Sequence, residues 1–166
     1  IVASASKLLA GLREGEFDVV VTAATVSEDL YRIDQLYDES YKVVVSKSHP
    51  LSERDAISLS TLAETDMLDR PNCEMRDALH GACADQGHEL YAAYRSNRVD
   101  WLVELARQGL GAVILPTTAI PADRGLVSIL IDGLEISRTV SALRYRHQTT
   151  RPETNDLIRE MTRTPA

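Results

Sequence analysis

Residues 94–116, YRSNRVDWLVELARQGLGAVILP, constrain the fold more than any other stretch of the chain. Residues 90–96 end as a strand. Trp101, Leu102, Leu105 and Ala106 then recur at helical spacing, and residues 112–115 form a short apolar run closed by Pro116. Gly109 and Gly111 bracket the turn from helix to strand, where only glycine takes a left-handed backbone at little cost. Strand, helix, strand in that order predicts a βαβ unit and a parallel sheet. Ligands of open parallel sheets sit beyond the carboxyl ends of the strands. The loops after Ser96 and Pro116 are therefore the first places to expect function.

The rest of the chain extends this pattern. A helix is expected at residues 4–14, with Leu8, Leu9 and Leu12 on one face and Ser4 or Ser6 as cap. Residues 17–22, FDVVVT, read as a covered central strand. Short strands are expected at 33–37 and 41–46, the second closed by His49-Pro50. A short helix at 58–64, a strand at 66–69 and a helix at 74–86 ended by Gly87 follow. A loop at 121–125 leads to strands at 126–131 and 139–145. The last helix is expected at 153–162, with Leu157, Ile158 and Met161 inward. At 166 residues the chain is long enough for one domain or two small lobes. Its net charge of −7 draws it to neither nucleic acid nor an anionic membrane. No apolar run reaches the roughly 18 residues of a membrane span. Two cysteines suit neither a disulfide scaffold nor a cysteine zinc cluster, and a reducing, cytoplasmic compartment is the simplest expectation.

Four pieces in this order, LLAGLREGEFDVVV, LYDESYKVVVSKSHPL, ISLSTLAE and VELARQGLGAVILP, make the chain resemble the effector-binding domain of LysR-type transcriptional regulators. The resemblance covers nearly the whole chain. It implies an α/β fold of two Rossmann-like lobes in the type 2 periplasmic-binding-protein architecture. Lobe I would hold residues 1–40 plus 139–166 and lobe II residues 41–138, with crossings near Tyr41 and Thr139. Against the family, the N-terminal winged helix-turn-helix is absent from this chain, and the first strand and helix of lobe I are expected to be missing. The resemblance further implies a small effector, a carboxylate or an aromatic acid, in the interlobe cleft. It implies domains paired antiparallel through the 4–14 helix and the Trp101 helix, assembly of the full protein as dimers or tetramers, and DNA bound by a domain outside this chain.

Hydroxyls, amides and helix starts hold carboxylates in such clefts. The candidate effector groups are Ser4 and Ser6 at the first helix, Thr22 and Thr25 at the end of the central strand, Asn72 and Cys73, and Arg95 and Ser96. Ser4, Ser6 and Ser96 read equally well as helix caps. A second possibility is a thiol redox sensor through Cys73 and Cys83. In the peroxide-sensing branch of the resembled family a reactive cysteine sits in this loop and a resolving one in the next helix, at a spacing one residue shorter. On a helix the two sulfurs would start roughly 15 Å apart, beyond disulfide reach, so bonding them requires unwinding. Cys83 reads more simply as a small core residue and Cys73 as a neutral cleft residue. Trp101 is expected in the core, with a place in the wall of a ligand pocket as the other reading, and Asp100 in the first turn of its helix, favourable to the dipole. His49, His80, His88 and His147 make no close-spaced pair of metal-ligand type, so no metal and no cofactor is expected. No nucleophile–base pattern points to an enzyme. A solute-binding protein of a transporter shares the architecture and is the other alternative.

Overall fold

Apolar runs, glycine stops and serine caps divide the chain into thirteen strands and α-helices and one short 3-10 helix (Thr117–Ala119) among the described residues, 1–122 and 125–163 of a computed structural model. In order they are α1 (Ala5–Glu14), β1 (Val20–Thr22), β2 (Tyr31–Ser46), β3 (Ala56–Ile57), α2 (Leu59–Ala63), β4 (Met67–Asp69) and α3 (Arg76–Asp85). There follow β5 (Ala92–Arg95), α4 (Val99–Arg107), β6 (Ala112–Pro116), β7 (Leu126–Ile131), β8 (Ser137–Tyr145) and α5 (Pro152–Arg163). The chain forms two compact units. Unit 1 is Ile1–Glu39 with the segment from Arg138 onward, and unit 2 is Ser40–Ser137.

Unit 2 is a sheet in the order β5-β4-β6-β2-β7-β3. β4 pairs in parallel with both β5 and β6, so the chain from β5 through α4 to β6 is the crossover that the sequence predicts, with β4 between its strands. β2 runs antiparallel to β6 and β7. The sheet is therefore mixed, a correction to the all-parallel expectation. Alternate side chains of each strand leave on opposite faces. Val43, Val45 and Ile114 pack on one face with Leu62, Leu79 and Cys83 of α2 and α3. Val44, Val113 and Leu115 pack on the other with Leu102, Val103 and Ala106 of α4. Each such fully buried aliphatic side chain contributes roughly 1.5–3 kcal/mol of transfer free energy. Gly111 (φ +150°) lets β6 start against the neighbouring backbone, since a Cβ there would lie 2.3 Å from the carbonyl oxygen of Asp66.

In unit 1, α1 starts at Ser4, whose hydroxyl accepts from the Lys7 N–H, and stops at Gly15 in the left-handed region (φ +79°). β1 pairs antiparallel with β8, Val21 opposite Ala142, and β8 lies beside β2. Leu12, Val20, Tyr31 and Leu143 form the buried cluster. Polar ties complete it. Arg144 donates to Asp34 at 2.7 Å and to Asn155 of α5 at 2.8 Å. Arg138 lies 2.6 Å from the carboxylate of Glu39, whose side chain is 1% exposed.

Several local expectations are corrected. The two short strands at 33–37 and 41–46 are one sixteen-residue strand, β2. The polar residues between them, Asp38 and Glu39, look like a loop in sequence but are satisfied within the sheet by Thr139 and Arg138. Residues 17–22 contribute only the three-residue β1, paired on one side among the described residues, and Val21 is 45% exposed. Leu157 points outward at 50% exposure, while Ile158 and Thr154 are the buried residues of α5. Trp101 is 49% exposed and donates its Nε1–H to the Tyr94 hydroxyl at 3.0 Å, so it is not core. The turn expected at 121–125 includes Asp123 and Arg124, which lie outside the described residues.

Candidate functional site

The carboxyl ends of β4 and β5 in unit 2 carry the densest polar arrangement. β4 is buried through Met67 and Leu68 and ends at Asp69, where the apolar run stops and the chain turns. Asp69 accepts from Arg76 Nε at 3.1–3.2 Å and lies 3.4 Å from Arg95 Nε. Its backbone carbonyl accepts from the Ser96 N–H at 3.1 Å. The Asn72 N–H donates to Asn97 Oδ1 at 3.0 Å, closing one loop on the other. The Ser96 hydroxyl accepts from the N–H of Arg98, the residue immediately before α4. Exposed Arg98 and Asp100 form a bidentate pair, which raises the arginine and holds the carboxyl below its usual range.

Four candidates, Asn72, Cys73, Arg95 and Ser96, are therefore brought onto two adjoining loops. Asn72 and Arg95 are exposed, Cys73 and Ser96 half-buried. The other four lie in unit 1. Ser4 and Ser6 share a hydroxyl contact of 3.1 Å at the start of α1. Thr22 accepts from the Ala24 N–H at 3.1 Å, and Thr25 is exposed in the loop beyond β1. No hydrogen bond joins the Ser4–Ser6 pair to Thr22 or Thr25 among the described residues.

The thiols stand in different surroundings. Arg70 Nη2 donates to Cys73 Sγ at 2.9 Å and lies 3.5 Å from Glu74 Oε2. Arg70 Nε is buried and without a partner. Cys83 is 1% exposed on the core face of α3, and burial pushes its thiol above the ordinary value. A cavity of about 30 Å³ lies within unit 2, walled by Met67, Met75, Leu79 and Leu90 and bordered by Arg70 and Cys73. That volume suits a water or two and no organic effector. Among the described residues no group of three or more His, Cys, Asp or Glu could hold a metal ion, and no helix is long and apolar enough to cross a membrane.

Sequence reasoning did not single out Asp69, Asn97 or Glu74, and it named Tyr41 only as a crossing between lobes. The one local signal is a carboxylate closing a buried strand at Asp69. Glu74 is recognisable only through its partner, since its Oε1 accepts from the Tyr41 hydroxyl at 2.7 Å across 33 residues of chain.

Known proteins share this sequence pattern and this fold. The family model for the LysR substrate binding domain matches residues 1–166. A hydrogen peroxide-inducible genes activator of Dickeya chrysanthemi is 28% identical over 149 residues, covering 87% of this chain and 48% of that protein. The chain spans about half the length of the curated relatives it matches. A solved LysR family regulator of Pseudomonas aeruginosa, itself of unproven role, superposes with a TM-score of 0.83 at 15% identity, over 97% of this chain and 57% of that one. The regulatory domain of CcmR from Synechocystis, solved in complex with 2-PG, gives 0.82 at 15% identity over 99% and 83%. The architecture is the type 2 periplasmic-binding-protein fold of these regulatory domains.

Proposed function

Because the chain belongs to the LysR substrate binding domain family, we propose that it is the ligand-sensing part of a DNA-binding transcriptional regulator and that a small anion engages the loop ends of β4 and β5. The observation that carries this reading is the joining of those two loops by Asn72–Asn97 and Ser96–Asp69. The joint holds a hydroxyl and arginines at the carboxyl ends of two parallel strands, where open sheets take ligands. Asn72, Cys73, Arg95 and Ser96 are the residues proposed to touch the effector, and Ser4, Ser6, Thr22 and Thr25 are the polar groups of unit 1 proposed for the same task. The proposed effector class is a small carboxylate, aromatic acid or phosphoester. The whole regulator is proposed to bind DNA through a separate domain, to assemble as dimers or tetramers, and to work in the cytoplasm.

A thermal-shift panel of small carboxylates, aromatic acids and phosphoesters tests the reading. A ligand at 100 times its dissociation constant stabilises the folded chain by about 2.7 kcal/mol. Ser96→Trp should remove the shift. A panel without any shift refutes an anionic effector, and a shift that survives Ser96→Trp moves the site elsewhere.

The contact between Arg70 and Cys73 favours a second reading, a thiol redox sensor. Attack on a peroxide takes the thiolate form of a cysteine. The thiolate would attack a hydroperoxide, taking one oxygen as sulfenate while the other leaves as water or alcohol. Condensation of the protonated sulfenic acid with the Cys83 thiol would then give a disulfide and a second water, with the start of α3 unwound to bring the sulfurs together. The matched curated relatives named as peroxide-inducible activators support this reading. Counting free thiols after mild peroxide decides it: loss of both supports the sensor, and two intact thiols end it.

A further inference from the structure

Resting on the effector reading of the β4 and β5 loops, we infer that Arg70, Glu74 and Tyr41 form a relay that carries occupancy of those loops to the segment where the chain crosses between units. Three contacts make the path. Arg70 Nη2 lies 3.5 Å from Glu74 Oε2. The other oxygen of Glu74 accepts from the Tyr41 hydroxyl at 2.7 Å. The Tyr41 N–H donates to the carbonyl of Ile136 at 2.9 Å. Tyr41 is the second residue of unit 2 and Ile136 the last but one, so the path ends beside both crossings.

Arg70 is placed to change partners. Its side chain is only 15% exposed. It spends one donor on a sulfur, a weak acceptor, holds its carboxylate at a long distance, and keeps a buried Nε without a partner. A desolvated cation so poorly matched gains from any anion that reaches the loop. An anion that draws Arg70 inward takes it from Glu74. Glu74, 38% exposed, then turns toward water. Tyr41, 6% exposed, loses a charge-assisted hydrogen bond, and the strand around it loosens. Coupling of this kind is reciprocal, so a change at Tyr41 must also be felt at the loop.

Amide hydrogen exchange on the 166-residue chain without any ligand tests the relay. Arg70→Met removes the cation, as an anion would, and should speed exchange at residues 41–43 by about threefold or more. Arg70→Lys, which keeps the charge, should stay within about twofold of the parent. In a Tyr41→Phe background Arg70→Met should add no acceleration. Unchanged or slowed exchange at 41–43 in Arg70→Met overturns the relay, as does an equal acceleration in the Tyr41→Phe background. Should Arg70→Met fail to fold, Tyr41→Phe alone reads the path backwards. It should speed exchange of the Cys73 amide, which donates to the Arg70 carbonyl at 3.1 Å, and an unchanged Cys73 amide overturns the relay. With no ligand in these arms, their failure overturns the relay and leaves the effector reading standing, whereas a failed thermal-shift panel removes the anion that would drive the relay and leaves only the contact path that exchange reads.

Discussion

Unit 2 carries a large apolar cluster on each face of its sheet, whereas unit 1 has one small cluster around Leu12, Val20, Tyr31 and Leu143, buries Val140, Ala142 and Ile158 outside it, and adds buried or half-buried arginine pairs. Hydrophobic layers are non-directional and respond to volume. Ion pairs such as Glu39–Arg138 respond to the loss of one partner, because the other charge is left desolvated. The difference teaches where each unit is fragile: unit 2 to cavities and overpacking, unit 1 to neutralisation of single carboxylates.

The sharpest way to break that contrast is Leu102→Ala, in a side chain with no exposed surface between α4 and the sheet. It should cost about 2–5 kcal/mol in urea denaturation. A cost below about 1 kcal/mol would mean the layer is not what holds unit 2. Next in size is Glu39→Gln, which keeps shape and removes charge opposite Arg138. About 1–3 kcal/mol is expected in the same assay. If its cost vanishes in high salt, the pair behaves as an exposed one and the account of unit 1 fails.

Helix caps extend the comparison at smaller scale. The Ser58 hydroxyl accepts from the Thr61 N–H at 3.1 Å in a half-buried site of unit 2, while exposed Ser4 accepts from Lys7 at 3.4 Å in unit 1. Ser58→Ala should cost about 1 kcal/mol and Ser4→Ala less than half of that. Equal costs would show that burial does not separate the two caps. The smallest effect is a pH dependence. Burial lowers the pKa of His49 in unit 2, and its neutral Nδ1 accepts from the Leu51 N–H at 3.2 Å. The folded chain binds this proton less readily than the unfolded chain. The stabilisation is present above the unfolded value of about 6.5 and is lost as pH falls through the lower folded value. His49→Asn should flatten the slope of stability between pH 7 and 5, and an unaltered slope would assign it to other groups.

Much of unit 2 is readable from local signals, and the reasons are physical. Gly109 (φ +79°) and Gly111 (φ +150°) punctuate the turn between α4 and β6 because no other residue fits there cheaply. The apolar runs of β6 and β7 have no alternative to burial. Ser58 caps α2 through a bond three residues long. What resists reading is whatever depends on a distant partner. Asp38 and Glu39 look like a break in a strand until Thr139 and Arg138, about a hundred residues away, supply their partners. Leu157 and Trp101 fit an apolar periodicity yet stay exposed, since periodicity finds a face but not its angular limits. In the loops, Asn72 and Ser96 can be picked by residue type, but Asn97 and Asp69, which tie them together, cannot. A chain read alone shows donors and acceptors without their pairing.

The register of β1 on β8 sets an order of events during synthesis. Val20 pairs with Leu143, so the first strand waits for more than a hundred further residues before its neighbour emerges. Unit 2, by contrast, is one uninterrupted stretch and holds all its own strands. On a ribosome it can close while the opening helix and strand are still unpaired, and closing so long an intervening loop is entropically far easier once that loop has already collapsed. Translation pauses or chaperones acting while residues 138–163 emerge should thus govern the yield of native chain more than those acting while unit 2 emerges.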